Sequence, residues 1–92
     1  MAADTASVVD VAEYILSRGG EMSTEKLHAL LYFSQAWHLA AFGVPLFDDP
    51  IEAWAEGPIV PALYELHRGE TTVAPSFFYE KLRAQQLIRL HS

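Results

Sequence analysis

Residues Glu25 to Phe42 read E-K-L-H-A-L-L-Y-F-S-Q-A-W-H-L-A-A-F and carry no formal charge after Lys26. Leu27, Leu30, Leu31, Ser34, Trp37, His38 and Ala41 recur at the spacing of one helical face, and Ala29, Tyr32, Phe33, Ala36 and Ala40 form a second apolar face. A helix that is apolar on two sides needs neighbours on two sides. This segment is therefore expected to be a central hydrophobic helix in the core, wrapped by the other elements. His28 and Gln35, seven residues apart and so near one azimuth, make its only polar stripe.

The flanking segments carry their own punctuation. Ser7 with Asp10 resembles a capping box and predicts a helix from Val8, with Val8, Val11, Ala12, Ile15 and Leu16 inward, Tyr14 on the flank and Gly19-Gly20 as its stop. Ser23 or Thr24 caps the long helix and Gly43 ends it. Val44 to Pro50 is rich in turn residues, with Leu46 and Phe47 as anchors, and Ile51 to Glu56 alternates as an extended segment or short edge strand. Gly57-Pro58 is expected to open a helix over Ile59 to Arg68, since both Pro58 and Pro61 fall where amides lack intrahelical acceptors. Glu70 to Pro75 reads as a linker, after which Ser76 is expected to cap a last helix running to about Leu90. The fold class is mainly α: a small domain of about four helices around a central hydrophobic helix, with a short extended insert.

Ninety-two residues make at most one domain. A hydrophobic content of 51% against 20% charged residues excludes disorder and leaves apolar surface for a partner. The formal net charge of -6 disfavours nucleic acid and anionic membranes. It is unevenly spread: Lys81, Arg83 and Arg89 against Glu80 put residues 77–92 at +2, so residues 1–76 carry -8. The absence of cysteine excludes disulfides and thiolate metal sites and points to the cytoplasm. The opening M-A-A-D-T-A-S shows no secretion signal, and the uncharged run Ala29 to Val44 is too short to span a membrane.

Four pieces in order resemble one family: D-V-A-E-Y-I-L (Asp10 to Leu16), M-S-T-x-K-L-x-x-L-L-Y-x-x-Q-A-W-H (Met22 to His38), P-L-F-D-D-P-I-E-A-W (Pro45 to Trp54) and G-P-I-V-P-x-L-Y (Gly57 to Tyr64). This order resembles the Panacea domain of SocA-like antitoxins and phage-associated GepA-like proteins. The resemblance implies a mainly helical domain that neutralises a cognate protein toxin by direct binding; members of the family are paired with unrelated toxins. It divides the chain into an N-terminal extension (1–7), a Panacea-like helical domain (8–69) and a divergent C-terminal linker and helix (70–92). After Gly69 the residues show none of the threonine-histidine and proline-tryptophan motif with which the family usually continues. Apolar surface left open there makes a homodimer a further expectation.

Catalysis has little to stand on. His28 and His38 are about 1000° of helical rotation apart and do not form a bidentate metal pair. There is no H-E-x-x-H, no nucleophile elbow and no phosphate-binding glycine loop. No catalytic, cofactor or metal residue is assigned. Gln35, Trp37 and His38 are expected to support the D-D-P-I-E-A-W-A-E-G-P loop, with Trp37 itself in the core. Asp48, Asp49, Glu52, Trp54, Glu56 and Tyr64 are the expected partner-binding residues, because an aromatic flanked by acids is the usual make-up of an interface anchor and an acidic surface suits a basic toxin; the alternative for Trp54 is insertion into the core beside Pro58. His67 is a further candidate for that surface. The rivals to an antitoxin are an adaptor that hands a partner to a protease, a phage or mobile-element regulatory protein or inactive remnant, and, remotely, a hydrolase.

Overall fold

The computed structural model describes residues 5–91; the first four residues of the expected N-terminal extension, and Ser92, lie outside it. Its elements are α1 (Val8–Gly19), β1 (Met22–Ser23), α2 (Thr24–Phe42), β2 (Glu52–Trp54), β3 (Gly57–Ile59), α3 (Pro61–His67), β4 (Thr72–Val73) and α4 (Phe77–His91). The helices dominate, as the periodicity predicts. Ser7 caps α1 by accepting from the Val9 amide, and Ser23 caps α2 by accepting from the Lys26 amide at 3.1 Å. Gly43, at φ 76°, closes α2 in the left-handed region that a side chain rarely adopts.

One core joins all four helices. Val8, Ala12 and Leu16 of α1 meet Leu27 and Leu31 of α2, Leu63 of α3 and Phe78 of α4, with Phe47 and Val60 from the connecting segment. Each such side chain contributes about 1.5–3 kcal/mol when removed from water. Two short antiparallel pairs complete the structure. In the first, β1 lies against β4, Met22 opposite Val73, which draws the segment expected to be a plain linker into the core. The second is a tight hairpin, β2 against β3, with Ala53 opposite Pro58 and Trp54 opposite Gly57.

Three expectations are corrected. Pro58 lies in a strand, not in a first helical turn: β3 is an edge, where a missing N–H costs no ladder bond, and the helix begins at Pro61 after the extended Val60. Ser76 does not cap α4. Its φ is 77°, and the carboxylate of Glu13 takes the place of a cap, accepting from the amides of Ser76 at 2.7 Å and Phe78 at 2.8 Å. Finally, α2 is buried on one face, and only in its first half; none of the second apolar face Ala29, Tyr32, Phe33, Ala36 and Ala40 is buried. Leu27, His28 and Leu31 are buried, yet Phe33, Trp37 and Phe42 are 64%, 65% and 62% exposed. The reason is azimuth and position: at 100° per residue Phe33 and Trp37 lie more than about 120° from the centre of the buried arc, and Phe42 stands on the last turn.

Because Glu13 is a buried charge with amide partners, its removal strands those donors. Glu13→Ala should lower unfolding free energy by about 2–4 kcal/mol in a urea titration. Ser76→Ala, whose side chain does not cap, should change it by less than about 0.5 kcal/mol.

Candidate functional site

The polar stripe of α2 determines where the irregular segment runs. Gln35 donates through Nε2 to the Phe47 carbonyl at 2.7 Å, and its Oε1 accepts from the Leu46 amide at 2.7 Å and the Phe47 amide at 3.3 Å. His38 donates through Nδ1 to the Val44 carbonyl at 2.8 Å. At the far end of the segment, His28 Nδ1 accepts from the Val60 amide at 3.1 Å. The two ends of residues 44–60 are thus tied to one helix, and the hairpin between them is held against its side.

His28 also meets His67 of α3, with 2.7 Å between the two Nε2 atoms. The Val60 amide settles the tautomers. With Nδ1 accepting, the His28 proton sits on Nε2 and is donated to His67, whose own proton is then on Nδ1. Neither ring can take a second proton without losing a bond. Burial, and then the neighbouring His67, lowers the His28 pKa from 6.5 to about 4. Burial lowers His67 as well, against the opposing pull of its own backbone carbonyl and of Glu70. His67 is therefore core, not an extension of the surface beside Tyr64.

A chain of edge-to-face rings leads outward from this pair. Tyr64 stands 5.3 Å from His67, and Trp54 stands 4.9 Å from Tyr64. Trp54 is half-buried, and its indole N–H donates to Glu52 Oε1 at 2.8 Å, so the hairpin puts Glu52 and Trp54 on one side. Glu56, at the hairpin turn, joins Trp54, Tyr64, Glu25 and Glu70 around a small cleft of about 160 Å³. Asp48 lies elsewhere and accepts from the Thr5 hydroxyl at 3.0 Å, while Asp49 is half-buried in the same loop.

Trp37 is not in the core. Its ring stands 5.8 Å from Phe42 on the uncovered end of α2. Around that end lie two apolar grooves that share Phe33 as a ridge. One, of about 620 Å³, runs between α2 and the hairpin, with Tyr32, Ala36, Leu39, Ile51 and Trp54 among its walls. The other, of about 640 Å³, runs between α1 and α2, with Val11, Tyr14, Ile15, Leu30 and Trp37 among its walls. Glu52 is the single charged side chain lining the first, and Asp10 the single acidic one lining the second.

Two apolar grooves and a hairpin carrying Glu52 and Glu56 thus lie on one helical body. The sequence profile of the family described as antitoxin SocA-like, Panacea domain, matches residues 27–91. The chain belongs to this family. The match opens at Leu27 within α2 and takes in the hairpin, α3 and α4, including the segment after Gly69. Comparison with curated proteins and with solved structures gives no match. The antitoxin-like domain accords with a protein partner, and among the described residues no helix is long and apolar enough to cross a membrane.

Sequence reasoning expected Gln35 and His38 to support residues 48–58, whereas their bonds go to Val44, Leu46 and Phe47 just before it, and it missed the His28–His67 pair, whose members are 39 residues apart. It also missed Glu13, although a carboxylate between Ala12 and Leu16 on an inward face was a visible anomaly. The histidine pair makes stability depend on pH. The unfolded chain takes up protons near 6.5 and the folded His28 only near 4, so stability present above 6.5 is lost as the pH falls through that window. Urea midpoints should therefore drop between about pH 7 and about pH 5, and His28→Gln should flatten the dependence while lowering the midpoint at neutral pH. Gln35→Ala should cost about 1–3 kcal/mol and open residues 44–50 to proteolysis.

Proposed function

We propose that this chain is the antitoxin of a toxin-antitoxin pair, acting in the cytoplasm by direct, non-catalytic binding of its cognate toxin. Family membership supports the class of function, and the observation that carries the binding mode is the groove between α2 and the hairpin. Its walls are apolar and its charged lining is Glu52; the adjoining cleft adds Glu25, Glu56 and Glu70. Neither is lined by Lys or Arg. A toxin that presents an apolar anchor within a basic rim complements this surface in both shape and sign.

Each partner-binding residue then has a role. Trp54, braced by Tyr64 and by its bond to Glu52, is a pre-oriented anchor that loses little side-chain entropy on binding. Glu52 and Glu56 supply the acidic rim, and Asp48 and Asp49 extend negative charge along the loop that enters the hairpin. Gln35 and His38 act indirectly, through the loop backbone they hold. Trp37 lies outside this hydrogen-bonded support.

Co-expression with the product of the adjacent gene tests the function: growth should be restored and the two proteins should co-purify. Failure of both, with this chain folded by circular dichroism, would overturn it. The site has a separate test. Trp54→Ala and Glu56→Lys should each weaken the toxin complex about tenfold or more, equivalent to about 1.4 kcal/mol, without loss of helical signal. An unchanged Kd for both would remove the hairpin from the interface.

A further inference from the structure

The second groove and the outer turns of the last helix both present exposed apolar side chains, and they are opposite in charge. From Tyr79 to Leu90 every side chain of α4 is exposed. Three helical turns that bury no side chain gain little stability in water, so this element calls for a surface to lie on. Leu82, Leu87 and Leu90, all exposed, fall within an arc of about 140° at 100° per residue, with Arg83 inside the same arc. Ile88 falls outside it.

The groove between α1 and α2 has the complementary character. Its walls are apolar, with Val11, Ile15, Leu30 and the exposed rings of Tyr14 and Trp37, and its one acidic residue is Asp10. The same Asp10 accepts from the Tyr79 hydroxyl at 2.5 Å, so α4 leaves the body at the rim of this groove. Its first turn is anchored by Phe78 in the core and by the Glu13 carboxylate.

We infer that two copies of this chain associate by reciprocal exchange of α4, the outer turns of each helix lying in the α1–α2 groove of the other. A two-fold axis beside the Asp10 rim makes the two contacts identical. Charge favours this contact over others between copies. Residues 77–92 carry +2 and residues 1–76 carry -8, so body against body is repulsive while helix against body is attractive. The groove used is not the one beside the hairpin, and the association does not depend on the toxin reading.

Mass and cross-linking test this together. Sedimentation equilibrium should show a mass rising with concentration from 10.3 kDa towards twice that value. Leu87→Glu and Trp37→Glu should each hold the chain at the lower mass, and Ile88→Glu should not. Because the chain has no cysteine, Leu87→Cys and Trp37→Cys variants can be mixed and oxidised without background. The mixture should yield a disulfide-linked heterodimer in large excess over either variant alone. A monomer at every concentration overturns the exchange. So does a dimer that both glutamate variants leave intact, or cross-linking of Leu87→Cys with itself as readily as with Trp37→Cys.

Discussion

Two polar side chains on one azimuth of α2 hold the rest of this small fold in place. His28 takes the Val60 amide and Gln35 takes the backbone of Leu46 and Phe47, so the long irregular segment is tied at both ends to a single rigid helix. Before the hairpin begins, this segment has one bridge, Ala6 to Phe47, as regular backbone pairing, and buried amides without acceptors are costly. The polar stripe supplies those acceptors. With the ends held, Phe47 and Val60 are carried into the core and the hairpin is set at a defined distance from the outward face of α2.

Glu13 does for the end of the chain what the stripe does for its middle. One carboxylate on α1 stands where a local serine cap is absent, and it ties the start of α4 to the first helix across more than sixty residues. A charge buried in this way is tolerated only because its amide partners are in place. The first and last helices are consequently coupled, and Phe78 enters a core that α1 and α2 have begun.

A domain of this size buries little, and here several of its largest side chains remain outside: Phe33 and Trp37 line the grooves that α2 forms with its neighbours, and Phe42 stands on its last turn. Apolar area left open in this way contributes to association instead of to folding. Between α2 and the hairpin it lies beside acids, and between α1 and α2 it lies beside the root of a basic helix, so the two grooves suit different occupants.

Local chemistry in the sequence determined the helix class and most helix ends. Ser7, Ser23 and Gly43 act on amides and carbonyls within a turn or so of themselves, and the inward faces of α1 and of the first half of α2 follow from spacing alone. The ordered motifs also carried the family. Only the tertiary structure decided the rest, because it depends on residues far apart. No local pattern says that His28 will meet His67, that Glu13 will cap a helix sixty residues on, or that Pro58 will sit on a strand edge. Nor does apolar periodicity say whether a side chain is covered: Leu31 and Trp37 share the same predicted face of α2, yet one is buried and the other 65% exposed, because neighbours close over only part of that face.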